Sequence, residues 1–210
     1  MKLYIYEHCP FCARVRFIGR KLGINFEEVI VGYNDDRTLT DLVGKRTVPI
    51  LMTEDNASFA DSKNIIDHFL TLAKSNSHRE PEYPTIAWQS RGFPLLQRIG
   101  YPRWHLLNLG EFSNEQSRKL WIARKETPSL NFDRLLEQTE SIVKQVDVLL
   151  LEAEKLLQLS GSRSGKSLLD QSIFFSLLRG FYSEPTLKWP NSLEIWMQEQ
   201  SQTLNIPLLR

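Results

Sequence analysis

The feature that most constrains this chain is a pair of cysteines, Cys9-Pro10-Phe11-Cys12, held between two runs of different periodicity. Lys2 to Tyr6, just before the pair, is rich in aromatic and β-branched residues and reads as a strand. After the pair, Val15, Ile18 and Leu22 recur at spacings of three and four, which predicts a helix. Pro10 suits the first helical turn, where its missing N–H is not needed. These are the chain's two cysteines. A bridge between them would close a tiny loop and stabilise little through chain entropy, so a structural disulfide is not expected. A thiol at a helix N-terminus lies near the positive end of the macrodipole and near free N–H groups, and both favour thiolate. Arg14 and Arg16 add positive charge nearby in sequence. Cys9 is therefore expected to be an exposed nucleophile and Cys12, one turn further on, a buried resolving thiol. That is the arrangement of thiol–disulfide exchange.

Other chemistries fit less well. A zinc site would need two ligands beyond the cysteines, from His8, His68, His78 and His105, and no pair of these has ligand-like spacing. No metal is expected. The 210 residues carry 26 Lys+Arg against 25 Asp+Glu, a net charge of +1, without the basic excess of a nucleic-acid binder. Hydrophobic residues make up 41% and charged residues 24%, enough apolar content for a sizeable core. No apolar run approaches the ~18 residues of a membrane span. The apolar opening is too short for a signal peptide and is interrupted by Glu7. A cytoplasmic protein is expected.

Asn25 to Val31 reads as a second strand, Arg37 to Val43 as a helix ending at Gly44, Thr47 to Met52 as a proline-bearing strand and Ala57 to Ala60 as a short further strand. Asp61-Ser62 caps a helix with Ile65, Ile66, Phe69 and Leu70 on one face. The order is βαβα followed by ββα. Ser75 to Pro84 is polar with two prolines and reads as a linker between units 1–74 and 85–210. Beyond it only helices are expected. Thr85 to Leu109 is kinked or split by Pro94, Gly100 and Pro102. Ser113 to Lys125, Phe132 to Leu157, Leu168 to Phe181 and Asn191 to Gln202 follow, the Leu168 helix apolar almost all round. Gly161 to Ser167 imitates a phosphate loop but has three residues between its glycines where four are required, and a helix precedes it. It reads as a flexible loop, with Ser167 and Asp170 as a capping box.

The combination of Cys-Pro-Phe-Cys after a strand, Thr47-Val48-Pro49, Asp61-Ser62 before a helix and a helical second unit resembles the bacterial glutathione transferase-like glutaredoxins. The similarity extends along the chain through Val43-Gly44, Asn131-Phe132, Leu177-Leu178-Arg179 and Trp189-Pro190. It implies an α/β thioredoxin-like N-terminal domain followed by an all-α glutathione transferase-type C-terminal domain, with a cis bond before Pro49. It also implies glutathione as co-substrate, bound by Pro10, Phe11, Val48, Pro49, Asp61 and Ser62. Val48 would pair its backbone with the tripeptide as an added strand does. Ser62 and its helix N-terminus would receive the γ-glutamyl carboxylate, Asp61 the γ-glutamyl ammonium, and Lys45 or Arg46 the glycyl carboxylate. Asp61-Ser62 also reads as a plain N-cap, and the two roles are compatible. Phe11 stands where many glutaredoxins carry Tyr, and packing against the second domain explains it equally well. The expected activity is reduction of glutathionyl mixed disulfides and protein disulfides through Cys9 and Cys12, by a monomer. The rivals are a glutathione transferase, which ordinarily uses Tyr or Ser at this place, and a metal- or cluster-carrying module.

Overall fold

A computed structural model describes residues 1–76, 80–161 and 163–210 of the chain. Part of the expected linker, 77–79 with His78, lies outside the described residues, as does Ser162 in the Gly/Ser loop. The N-terminal half runs β1 (Lys2–Ile5), α1 (Pro10–Lys21), β2 (Glu27–Ile30), α2 (Asp36–Val43), β3 (Ile50–Met52), β4 (Ser58–Ala60) and α3 (Ser62–Leu72). The strands form one sheet in the order β2-β1-β3-β4. Parallel β1 and β2 are joined through α1, whereas β3 and β4 pair antiparallel. Leu3, Ile5, Ile50 and Leu51 on the central strands are fully buried. The expected proline-bearing strand is shorter than its apolar run. Pro49 has no N–H to give a ladder, so pairing begins at Ile50; its bond to Val48 is cis.

The second half is helical. It comprises α4 (Tyr83–Trp104), a single 3₁₀ turn (Gly110–Phe112), α5 (Glu115–Lys125), α6 (Phe132–Glu137), α7 (Thr139–Leu157), α8 (Leu168–Phe181) and α9 (Asn191–Leu204). Three expectations are corrected. The α4 helix is not split by its prolines. It is pinned from outside, with Trp88 Nε1 donating to Leu149 O at 3.0 Å and Trp104 Nε1 to Gly180 O at 3.2 Å. Gly100 and Gly180 leave the space for the Trp104 ring, since a Cβ on Gly100 would stand 2.2 Å from it. The run from Phe132 is two helices, broken at Gln138, where Arg103 donates to the Thr139 hydroxyl at 2.7 Å. The Gly/Ser loop is framed by two-residue strands, β5 (Leu159–Ser160) and β6 (Arg163–Ser164), where no strand was expected.

As expected, α8 is central and buried from Leu169 through Phe181 save Gln171, and it packs heavily on α1. Its cap also ties α8 to the start of α4. Ser167 accepts the Asp170 N–H at 3.1 Å, while the Asp170 carboxylate takes the Glu82 N–H at the start of α4 at 3.0 Å. Trp88, Trp104, Trp121 and Trp196 are core residues, buried to within 1%. Among the described residues no helix is long and apolar enough to cross a membrane.

Candidate functional site

Cys9 is the residue immediately before α1, and Pro10 is its first helical residue. Both cysteines are free thiols. The expectation of an exposed Cys9 is corrected, because its residue is only 8% exposed. The helical domain covers it. Cys9 opens into a cavity of about 220 Å³ that it shares with His8, Phe11, Phe93, Tyr101, Trp121 and Lys125. Cys12 is fully buried beneath it.

The two sulfurs ionise in opposite directions. Cys9 is lowered below the ordinary thiol range, first by a hydrogen bond from the Cys12 thiol; burial opposes this, and the N–H groups of Cys12 and Phe11 add to it. Those N–H groups act on the sulfur without closing a capping hydrogen bond of ordinary geometry. The Glu111 charge works against the thiolate. Cys12 is pushed well up, by burial first and then by Cys9. Neither nearby arginine forms a hydrogen bond to the sulfur. Arg14 donates to Gln89 at 2.9 Å, and Arg16 pairs with Glu28 at 2.8 Å.

The residues just before Cys9 are clamped by the helical domain. Glu111 Oε1 accepts the His8 backbone N–H at 2.8 Å and lies 2.7 Å from His8 Nδ1. Glu7 Oε2 in turn accepts the Gly110 N–H at 2.6 Å. Buried Arg179, lowered to about 9 by desolvation, donates to Glu7 O at 2.6 Å and to Pro207 O at 2.5 Å. Burial pushes the His8 pKa down. For Glu111, burial is the largest influence and pushes up, but the His8 side chain and the backbone N–H groups of His8 and Glu111 together outweigh it and the carboxyl is lowered. The pair is therefore a neutral imidazole donating from Nδ1 to a carboxylate, not an ion pair. Rings of Tyr6, Tyr33, Trp104, Phe112 and Trp121 surround His8 at centroid distances of 4.6 to 6.2 Å. Contacts spanning 103 residues leave no local pattern, so sequence reasoning missed Glu111, and it also missed Lys125.

The other expected site residues fall as follows. Val48-Pro49 is cis, Val48 half-buried and Pro49 buried. Asp61 caps α3 by accepting the Lys63 N–H at 2.8 Å. Its φ of +82° is one that L-residues rarely adopt, so its backbone is strained. Ser62 lines a second cavity of about 210 Å³ with Arg14, Asp67 and Gln89. Arg14 Nε is buried there without a partner among the described residues, and burial lowers this guanidinium to about 10. Phe11 joins the two regions, its ring 5.9 Å from Phe93 and 5.4 Å from the Arg14 guanidinium carbon. Of the two basic candidates, Arg46 is bound to Asp36 at 2.6 Å and stacked on Tyr33, while Lys45 is exposed. Among the described residues no three His, Cys, Asp or Glu side chains form a metal-binding group.

Comparison with known proteins places this geometry. Residues 85–210 match the family model of the glutaredoxin 2 C-terminal domain, and residues 3–77 that of the glutathione S-transferase N-terminal domain. Glutaredoxin 2 of Escherichia coli K12 is 28% identical over 210 residues, covering 100% of this chain and 98% of its own. The crystal structure of glutaredoxin 2 from Salmonella typhimurium in complex with glutathione superposes with a TM-score of 0.91 at 27% identity, covering 99% of this chain and 96% of that one. Gtt2 from Saccharomyces cerevisiae shares the fold at a TM-score of 0.59 and 15% identity, covering 98% and 99%. The chain has a thioredoxin-like N-terminal domain and a glutathione transferase-type helical C-terminal domain.

Proposed function

The chain belongs to the glutaredoxin 2 family, and from that premise we propose that it is a glutathione-dependent disulfide oxidoreductase with Cys9 as nucleophile. The observation that carries this reading is the pair of free sulfurs at the start of α1, one opening into a cavity and lowered in pKa, the other sealed and raised. The Cys9 thiolate attacks the glutathionyl sulfur of a mixed disulfide. A Cys9–glutathione disulfide forms and the other thiolate leaves. A glutathione thiolate then attacks that disulfide, releasing glutathione disulfide and restoring Cys9. With a protein disulfide, Cys12 resolves the intermediate, and two glutathiones reduce the resulting Cys9–Cys12 bond.

In this reading glutathione lies along Val48 and cis-Pro49, flanked by Pro10 and Phe11, with its γ-glutamyl end at Asp61 and Ser62. Strained, exposed Asp61 supports that placement, since a plain cap needs no positive φ. Arg14, buried and half-satisfied beside Ser62, gives that end a further cation. The division into 1–74 and 85–210, the monomeric state, a cytoplasmic location and glutathionylated or disulfide-containing proteins as substrates belong to the same reading.

The test is a pair of variants. Cys9→Ser is expected to lose at least about 1,000-fold in turnover of a glutathionylated peptide, because an alcohol is not ionised near neutral pH. Cys12→Ser is expected to keep that activity and to lose reduction of protein disulfides. An active Cys9→Ser protein would sink the assignment. Conjugation of glutathione to a chromogenic aryl halide, persisting in Cys9→Ser, would point to transferase chemistry instead.

A further inference from the structure

The cavity at Cys9 is apolar and aromatic over most of its wall, and at one side it carries a lone cation. Phe93, Leu96 and Tyr101 come from α4, Trp121 and Lys125 from α5. At about 220 Å³ it is smaller than the roughly 300–1,000 Å³ of drug-sized ligand sites, so one ring or a short chain fills it. The Lys125 ammonium stands 5.4 Å from the Tyr101 ring centroid and 5.6 Å from that of Trp121. No carboxylate among the described residues pairs with it. The neighbouring cations differ. Arg46 and Arg124 both end on Asp36, at 2.6 and 2.5 Å. One carboxylate thus serves two guanidinium groups, and nothing is left for Lys125. Half-buried and facing no carboxylate, the ammonium is lowered chiefly by desolvation and then by Arg46, with the Cys9 charge the one influence that favours it. A cation held this way gains most from an anion that enters the cavity with it.

Taking Cys9 as the nucleophile of the preceding section, we propose that this cavity receives the thiol half released from a glutathionyl mixed disulfide, and that Lys125 selects small aromatic or aliphatic thiols bearing a carboxylate. The Cys9 thiolate forms a bond to the glutathionyl sulfur, the S–S bond of the substrate breaks, and its electron pair leaves on the small thiol, whose ring lies against Phe93 and Trp121. The carboxylate at the far end of that thiol meets Lys125.

The experiment compares two glutathionyl mixed disulfides, of para-(mercaptomethyl)benzoate and of its neutral primary amide. They match in shape and in the leaving sulfur and differ in charge. The reading is the ratio of their kcat/KM values, in which any change in Cys9 reactivity cancels. The wild-type protein is expected to favour the carboxylate about tenfold, the size of one charge-assisted hydrogen bond. Lys125→Gln is expected to bring the ratio to about one, and Lys125→Arg to keep most of it. A wild-type ratio near one overturns the proposal. So does a Lys125→Gln protein that slows on both substrates equally, which would make Lys125 a counter-ion of Cys9. Failure to turn over either disulfide would overturn the oxidoreductase reading along with the proposal, whereas normal turnover without discrimination removes the proposal alone.

Discussion

Cys9 and Cys12 stand one turn apart at the start of the same helix, and both are buried. Burial alone would push both thiols up, because a thiolate loses its hydration in a low-dielectric interior. Only Cys12 follows that rule. Cys9 departs from it because the Cys12 thiol before all, and then two helix-start N–H groups, favour its thiolate. The contrast teaches that the pair is one device. The sulfur that holds its proton spends it on stabilising the sulfur that gives its own up.

The sharpest way to break the contrast is to remove the donor. Cys12→Ala takes away the largest influence holding Cys9 down. The sign follows directly. Loss of a donor to the thiolate raises the Cys9 pKa, so at a pH below its midpoint the ionised fraction falls, by about tenfold for a hydrogen bond to a charged group. Ultraviolet thiolate absorbance against pH, with alkylation mapped to Cys9 by mass spectrometry, reads this. Cys12→Ser is the control, since its hydroxyl still donates and its ionised fraction should stay close to wild type. Equal ionised fractions in Cys12→Ala and wild-type protein would show that the helix-start N–H groups suffice without the second sulfur.

Glu111 offers the opposite move. Its buried carboxylate works against the Cys9 thiolate while its hydrogen bonds hold His8 in place. Glu111→Gln keeps an oxygen for His8 and removes the charge. Cys9 is then expected to fall further, with about threefold more thiolate at a pH below the wild-type midpoint. Denaturant unfolding should show a loss of about 1–2 kcal/mol, because charge-assisted hydrogen bonds become neutral ones. Stability lost with no change in the Cys9 titration would make Glu111 a fastener between the domains and nothing more. The carboxylate would then have no electrostatic effect on the reactive sulfur.

Local rules made much of this legible in sequence. The strand, proline and helix periodicity around Cys9, the caps at Asp61 and Ser167 and the largely apolar α8 each depend on neighbours a few residues away, and the structure keeps them. The cis bond at Pro49 came only through family resemblance, since an isolated X–Pro has a low cis frequency. Gln138 breaks the expected helix within the polar stretch 137–141, and Arg103 from another helix anchors the break. The Glu7–Gly110 and His8–Glu111 contacts, the covering of Cys9 and the isolation of Lys125 all arise where two domains meet. No window along the chain contains both sides of such a contact.

Arg14 and Arg16 show the same limit in electrostatic form and lead to the smallest expected effect. Counted along the chain, they stand beside Cys9 as a positive field. In space Arg16 is paired with Glu28, which Arg20 also holds at 2.6 Å, and Arg14 donates to the neutral amide of Gln89. If a field of solvated cations set the ionisation of Cys9, raising the salt would screen it, since the Debye length shrinks from tens of ångströms at low salt to about 3 Å at 1 M. Short-range influences from neighbouring dipoles beneath a domain are hardly screened. The Cys9 thiolate fraction at a fixed pH below its midpoint is therefore expected to change by less than about 1.5-fold between low and high salt. A change of tenfold would transfer control of the sulfur to long-range charge. The opposite behaviour of Cys9 and Cys12 would then reflect which of them faces the field, not which donates to the other.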